Sequence, residues 1–265
     1  MGAPQVLTHS SGVIYYAVAG SNPATFTLNT QQSGSTLISF AAGNLLDLTL
    51  SGRVTDNPGN YFKPLLPDEG ANNSSNGDAA ARQYISWQDY GMIAYAATGN
   101  VSGGDNHIFS KSRQEYEEMS FCVVEVSGAE RIKQYRWNYK TTGQTLQSLP
   151  VSSTVPSIAI AAWFGDGFVG TNHTATPSSG WTLLGGYGID WPNGYVQFFY
   201  AYKIMPSGGI ETCTWTETPD QGGHLPIMIL EGIDVPPLPM SISYVAKGSG
   251  TRRLDIVRAF NMNFV

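Results

Sequence analysis

Residues 196–232 read VQFFYAYKIMPSGGIETCTWTETPDQGGHLPIMILEG. Three runs rich in aromatic and β-branched residues follow one another, and clusters of Gly, Ser, Pro and Asp separate them, as is typical of strands joined by turns. The last run is apolar throughout and closes with Gly232. No part of the stretch repeats its apolar residues at a helical period. It therefore predicts a unit of three antiparallel strands.

The same alternation of short strand-like runs and turn signals continues along almost the whole chain of 265 residues. Charged residues make up 13%, about half of the usual share of roughly 25%, while 30 glycines and 12% aromatic residues supply turns and core. This composition suits strands better than exposed helices. We therefore predict an all-β fold, an antiparallel β-sandwich of jelly-roll-like type.

The two halves of the chain echo each other. Tyr95-Ala96 corresponds to Tyr200-Ala201 and Ser102-Gly103-Gly104 to Ser207-Gly208-Gly209, and both pairs are 105 positions apart (200 − 95 and 207 − 102). In each half, a third apolar strand follows the Ser-Gly-Gly turn. We expect two tandem pseudo-repeats, approximately residues 25–130 and 150–233, although chance matching of glycine-rich β sequences is the alternative.

Residues 1–233 are accordingly assigned to the β-sandwich. Residues 234–240, DVPPLPM, predict an extended linker because three prolines restrict the backbone. The tail to residue 265 predicts one or two strands that could pair with a neighbouring chain.

The second half resembles a β-sandwich pattern of surface proteins of bacteriophages and bacteria, namely tail-fibre and head-decoration-like modules with a Gly-Trp-Thr element followed by a Tyr-x-Lys strand. The resemblance covers roughly residues 25–233, and the first half lacks the Gly-Trp-Thr element. It implies a fold and an adhesive or structural role, and it carries over no catalytic residue. The matching residues are Pro177, Gly180, Trp181, Thr182, Tyr200, Tyr202, Lys203, Thr212, Thr214, Trp215 and Gly232.

The sequence contains no recognisable catalytic, metal or cofactor motif. No two of the four histidines stand at metal-ligand spacing, and the nucleophile elbow, the P-loop and the dinucleotide fingerprint are all missing. A glycosidase needs two carboxylates across a cleft, and the candidates are Asp166, Asp190, Glu211 and Glu217. We favour solvent-facing positions on a half-exposed strand for Glu211 and Glu217. We therefore expect no enzyme.

Two smaller features leave alternatives open. Cys122 and Cys213 lie in strand-like runs, so free buried thiols are expected, with a disulfide as the alternative. The loop from Asp68 to Asp78 is rich in oxygen ligands without keeping an EF-hand register, so a calcium-stabilised loop is a hypothesis beside a plain exposed loop.

Aromatic residues near one turn are the candidate contacts with a ligand or partner. Tyr187, Trp191 and Tyr195 lie in or beside the run GWTLLGGYGIDWPNGY, and exposed Trp and Tyr often stack on sugars or fill partner pockets. A turn that buries its aromatic residue is the alternative. Trp181 is expected in the core from its place in the resemblance.

The net charge is −6, and the sequence lacks the basic stripe of a typical nucleic-acid binder. The cations of residues 131–140 are interpreted as a solvated strand face. No apolar run reaches the roughly 18 residues of a membrane span. The chain opens MGAPQVLTHSSG, from which we expect no secretory signal. A virion protein made in the host cytoplasm reconciles this with the extracellular-type composition.

We therefore expect a structural surface protein of a bacteriophage virion, either a head decoration or fibre or a tail-fibre subunit. It would form a homo-oligomer or bind other virion proteins, and it could adhere to a host surface glycan. The alternative is a carbohydrate-binding module of a surface or secreted protein, and a glycan-active enzyme is the third hypothesis. We expect no cofactor, no nucleic acid and no membrane insertion.

Overall fold

Antiparallel strands make up the regular structure of the protein in a computed structural model, which describes residues 2–14, 23–44, 54–68, 81–85, 88–99, 101–112, 119–167, 174–191 and 194–232. The first nine strands are β1 (Gln5–Ile14), β2 (Ala24–Leu28), β3 (Thr36–Asn44), β4 (Thr55–Asp56), β5 (Lys63–Leu65), β6 (Ala81–Ile85), β7 (Gln88–Ala97), β8 (His107–Lys111) and β9 (Met119–Ser127).

Ten further strands follow in the second half. They are β10 (Ala129–Lys140), β11 (Thr145–Gln147), β12 (Val151–Ser153), β13 (Ser157–Gly167), β14 (Thr174–Pro177), β15 (Thr182–Trp191), β16 (Gly194–Met205), β17 (Gly209–Glu211), β18 (Thr214–Thr218) and β19 (Gly222–Gly232).

Each half forms a two-sheet sandwich with the same strand order. In the first half, the larger sheet runs β1-β9-β3-β7-β5, with β6 also on β7, and the smaller sheet runs β2-β8-β4. In the second half, the larger sheet runs β10-β19-β13-β16-β15 and the smaller sheet β11-β18-β14. The first and last strands of each half are thus neighbours, and the chain crosses repeatedly between the larger and the smaller sheet, except that β5, β6 and β7 share one sheet, as do β15 and β16. The short strands β12 and β17 form a separate two-stranded sheet. This is jelly-roll connectivity, and the predicted all-β antiparallel sandwich is confirmed.

The two jelly rolls share one apolar core between their larger sheets. Second and third cores lie on the outer sides, where each larger sheet meets its own smaller sheet. The central strands β9, β13 and β19 are covered on both faces, which is why they are apolar without alternation. The shared core includes Ile38, Phe40, Val124, Ile160, Phe164, Phe198, Tyr200 and Met228.

A buried glutamate marks the equivalent position in each roll. Glu125 on β9 lies opposite Leu37 and accepts a hydrogen bond from the Ser35 hydroxyl at 2.6 Å. Glu231 on β19 lies opposite Ser157 and accepts one from the Ser153 hydroxyl at 3.0 Å. In both rolls, a carboxylate of the last strand therefore anchors the segment that enters the central strand.

The residues that occupy equivalent positions in the two rolls are not the residues that the sequence echo pairs. Tyr95 lies in the outer core of the first roll, whereas Tyr200 lies in the core shared by both rolls. In both rolls, even-numbered residues of the central strands point into the shared core and odd-numbered residues into the outer cores. A shift of 105 positions therefore exchanges the faces, whereas an even shift, such as the 106 positions from Glu125 to Glu231 (231 − 125), keeps them.

Several sequence features lie outside the described residues. These are the proline-rich linker and tail from residue 234 onward and residues 69–78 of the proposed calcium loop. Asp68 is described, and its carboxylate accepts a hydrogen bond at 2.9 Å from the backbone amide of Tyr135. Within the described ranges, no helix is long and apolar enough to span a membrane.

Candidate functional site

A cleft of about 480 Å3 opens on the first jelly roll, between the connection from β4 to β5 and the segment that follows β7. Its apolar floor is built from small side chains near the end of β7. Tyr61 stands at the cleft with 64% of its surface exposed. The lining residues are Pro58, Gly59, Asn60, Tyr61, Lys63, Ala96, Ala97, Thr98, Val101 and Ser102.

A fully buried Asp-His pair lies behind the cleft. The carboxylate of Asp56 and the imidazole of His107 are 2.8 Å apart, and both side chains are 0% exposed. The carboxylate also accepts hydrogen bonds from the backbone amides of Gly59 and Asn60 at 2.9 and 2.7 Å. Removing a carboxylate from water is costly unless its oxygens are satisfied. Here, these three donors and the side-chain amide of Asn60 satisfy them.

Asn60 links the Asp56 carboxylate to the opposite wall of the cleft through hydrogen bonds. Its side-chain amide donates to the carboxylate of Asp56 and to the carbonyl of Ser102, both at 2.6 Å. Its side-chain oxygen accepts from the backbone amide of Ser102 at 2.9 Å. One asparagine therefore ties the two walls together, and the cleft is held open in a defined shape.

Thr30 completes a chain of three polar side chains. Its hydroxyl lies 2.8 Å from Nδ1 of His107 and accepts from the backbone amide of Gly104 at 3.0 Å. The imidazole of His107 therefore lies between the Asp56 carboxylate at Nε2 and the Thr30 hydroxyl at Nδ1. This Asp-His-Thr chain contains the group types of a hydrolytic triad.

The position of Gly103 argues against a nucleophilic role for this chain. A side-chain carbon added to Gly103 would overlap with the Thr30 hydroxyl and with the carbonyl of Gln31. The main chain of Gly103 thus covers the hydroxyl that a substrate carbonyl would have to approach. The chain of side chains therefore braces the loops of the cleft.

The sequence interpretation of Glu217 as solvent-facing is wrong. Its side chain is fully buried between the two sheets of the second roll and forms an ion pair with Lys140, which is itself 9% exposed. Glu217 shares a strand face with Trp215, and both point into the core. Glu211 lies near the surface on β17 and pairs with Lys203 at 2.7 Å. Glu211 and Glu217 thus lie in different environments.

An indole ring and a backbone carbonyl lie next to the ammonium of Lys140. The ammonium of Lys140 lies 5.4 Å from the ring centre of Trp163 and donates to the carbonyl of Gly143 at 2.7 Å. Burial lowers the pKa of Lys140 to about 8, against the opposing effect of Asp220. Since Glu217 is committed to this ion pair, it is not placed as a free acid or base.

The remaining carboxylate candidates are not gathered around a common cleft. Asp166 is 3% exposed at the end of β13. Asp190 lies on β15 opposite Tyr195, and its side chain is outside the described part of the chain. Among the described residues, no group of three or more His, Cys, Asp or Glu side chains could hold a metal ion.

The three aromatic residues chosen from the sequence lie at the edge of the larger sheet of the second roll. Tyr187 is half-buried against the shared core, with its ring centre 6.2 Å from that of Phe198. Trp191 and Tyr195 lie on β15 and β16, whose backbones pair, but their side chains are outside the described set. Trp181 is buried, as expected, and its indole donates to the carbonyl of Thr212 at 3.2 Å.

Both cysteines are buried and free, which confirms the expectation from the sequence. Burial raises the pKa of each thiol to about 12. A thiol with such a pKa has almost no thiolate at neutral pH and is chemically inert.

Compared with known proteins, the chain matches no family model, no curated protein and no solved structure. The interpretation of the cleft therefore depends on its own geometry.

The residues of the cleft are not among the candidates predicted from the sequence. Asp-Asn-Pro-Gly at residues 56–59 is a typical turn sequence, and Asp56 caps that turn. Its partner His107 is 51 positions away, and Ser102, which bonds to Asn60, is 42 positions from Asn60, so no local spacing links them. The exposure of Tyr61 beside buried Phe62 also depends on which strand face is covered.

Proposed function

We propose that this protein is a structural surface subunit of a bacteriophage virion, a head decoration or fibre or a tail-fibre subunit that is assembled in the host cytoplasm. It acts by contact with other virion proteins or with copies of itself, and it catalyses no reaction. The architecture supports this proposal, because jelly rolls recur in viral capsid and lectin domains. The commitment of Asp56 and Glu217 to buried pairs supports the non-enzymatic part.

One surface carries the proposal. The outer face of the small sheet β11-β18-β14 is uncharged and rich in threonine, and cross-strand pairs bring these residues side by side. Rigid side chains on a regular sheet lose little conformational entropy when a partner covers them. Such a face suits extended protein–protein packing. Its members are Thr145, Gln147, Thr174, Thr176, Thr214, Thr216 and Thr218.

Particles produced by the genome that encodes the chain provide the test. Density-gradient fractions are probed by quantitative mass spectrometry and by immunogold labelling, and the protein is expected at a fixed stoichiometry on the particle. Particles assembled without the protein should bind the purified wild type. They should not bind Thr216→Lys, which places a charge at the centre of the outer face.

Thr182→Lys is the matched control, since Thr182 is exposed on β15 outside this face. A protein that never enters the particle fraction would contradict the proposal. Equal binding by the two lysine variants would contradict the assignment of the outer face.

A second candidate function is a carbohydrate-binding module. The cleft beside Tyr61 favours it, because an exposed aromatic ring on a braced loop is the arrangement that stacks on a sugar. Purified protein tested on immobilised oligosaccharides distinguishes this function from particle assembly, since each can be present without the other.

A further inference from the structure

We propose that the cleft between residues 58–63 on one side and residues 96–98, 101 and 102 on the other is a saccharide-binding site, and that it selects a sugar with a negatively charged substituent such as a uronic acid. This inference deepens the second candidate function and is independent of the virion proposal. Four observations carry it: the volume of the cleft, the exposure of Tyr61, the bracing of its walls and the charge of its lining.

The volume and lining of the cleft suit a small polar ligand with an apolar face. Its 480 Å3 lie within the range of about 300–1,000 Å3 of small-molecule sites. Ala96, Ala97 and Val101 give it a low apolar floor. Thr98 and Ser102 are exposed at the cleft and carry hydroxyls that can bond to sugar hydroxyls.

Tyr61 supplies the stacking surface. Its neighbour Phe62 is 1% exposed and packs into the outer core, which fixes the backbone, whereas Tyr61 is 64% exposed on the cleft side. A tyrosine presents an apolar ring face together with a polar hydroxyl at its tip. A pyranose likewise combines a C–H face with peripheral hydroxyls. The two surfaces match in shape and in polarity.

The buried polar network preorganises this surface. Loop residues that must be ordered on binding cost affinity, typically about 0.5–1.5 kcal/mol for each immobilised side chain. Here, Asp56 and Asn60 hold the loop that carries Tyr61 before any ligand arrives, and Asn60 fixes the opposite wall at Ser102. The buried pair of Asp56 and His107 thus orders the cleft in addition to stabilising the fold.

Lys63 determines the charge preference. It is exposed on β5 and is the one charged residue among the described residues that line the cleft. The chain as a whole carries a net charge of −6, so the positive charge of Lys63 at the cleft is opposite in sign to the net charge of the chain. An ammonium group at a cleft without a neighbouring lining carboxylate favours ligands that bring a carboxylate or a phosphate.

The test uses the full chain on a microarray of bacterial-type oligosaccharides that contains neutral, uronic-acid and phosphorylated sugars. Binding to acidic members is expected, and titration calorimetry with the strongest of these oligosaccharides follows. Tyr61→Ala should weaken binding about tenfold, which corresponds to about 1.4 kcal/mol. Lys63→Gln should weaken binding to acidic sugars and remove its dependence on salt.

Leu66→Ala is the matched control, because Leu66 is 67% exposed on the same segment but does not line the cleft. The melting temperatures of all variants show whether the fold is retained, and Lys63→Gln keeps the test valid if Tyr61→Ala is unstable. The proposal is overturned if no oligosaccharide binds, or if binding survives in both cleft variants. Binding to neutral sugars alone would overturn the assignment of an acidic ligand. Loss of glycan binding would leave particle association unchanged, so the two proposals fail separately.

Discussion

Substitution of Asp56 by alanine is the most direct test of the braced cleft. The substitution removes the carboxylate that accepts from the side chains of His107 and Asn60 and from the backbone amides of Gly59 and Asn60. A hydrogen bond to a charged group contributes about 1.5–3 kcal/mol, so the loss of the two side-chain bonds alone lowers the free energy of unfolding by roughly 3–6 kcal/mol. That is a large fraction of the roughly 5–15 kcal/mol that stabilise a typical domain.

Differential scanning calorimetry measures the effect. In a chain of this size, 1 kcal/mol shifts the melting temperature by about 2–4 °C, so we expect a fall of at least about 6 °C for Asp56→Ala. Asp56→Asn should fall less, because its side-chain oxygen still accepts from the backbone amides of Gly59 and Asn60. The histidine can also exchange its tautomer to meet the new amide.

Asp105→Ala serves as the control, since Asp105 is exposed in the turn just before His107. Its melting temperature should stay within about 1 °C of the wild type, as for most surface substitutions. An Asp56→Ala protein that melts within 2 °C of the wild type would refute the bracing role. Saccharide binding in the same variant should fall together with stability if the network shapes the cleft.

Three further predictions concern Gly223, Glu231 and the two cysteines. Gly223→Ala should lower the free energy of unfolding by about 1–3 kcal/mol, because an added methyl group would overlap with the Trp163 indole. In the control Gly188→Ala, the added methyl group has room and stability should change little. Equal melting temperatures of the two variants would contradict this packing. Burial would raise the pKa of Glu231, but the hydrogen bonds from Arg131 and Ser153 outweigh this effect and lower the pKa below the usual 4.5. The ionised carboxylate therefore stabilises the fold above pH 4.5, and this contribution is lost as the pH falls further. Urea unfolding of Glu231→Gln should therefore show a deficit at pH 7 that shrinks in acid, and a deficit that is constant with pH would argue against it. Both cysteines should resist Ellman's reagent at pH 8 in the native protein and react after denaturation, and fast native labelling would disprove their burial.

The strand content could be predicted because it depends on local pattern. In β19, an apolar run with a closing glycine is visible in the sequence, and it forms a strand buried on both faces. The free, buried state of Cys122 followed from the same reasoning. Both inferences needed only the residues next to the one in question, whereas the burial of Trp181 was expected from its place in the resemblance.

The face that each residue presents could not be predicted in the same way. The alternation along β18 places Trp215 and Glu217 on one side, but it does not reveal which side a second sheet will cover. The structure covers that side, and Glu217 becomes a buried partner of Lys140. The echo of Tyr95 and Tyr200 failed in register for the same reason, because a shift by one residue exchanges the core that a side chain enters.

The sequence by itself determined that this chain folds into antiparallel strands with glycine-rich turns, since turn chemistry and apolar runs act over a few residues. The tertiary structure alone decided that two jelly rolls share a core and that Asp56, Asn60 and His107 meet behind one cleft. Segments about 50 positions apart become neighbours only when strands from different parts of the chain pair. Pairing between such distant segments depends on the packing of whole sheets, and no local pattern records it.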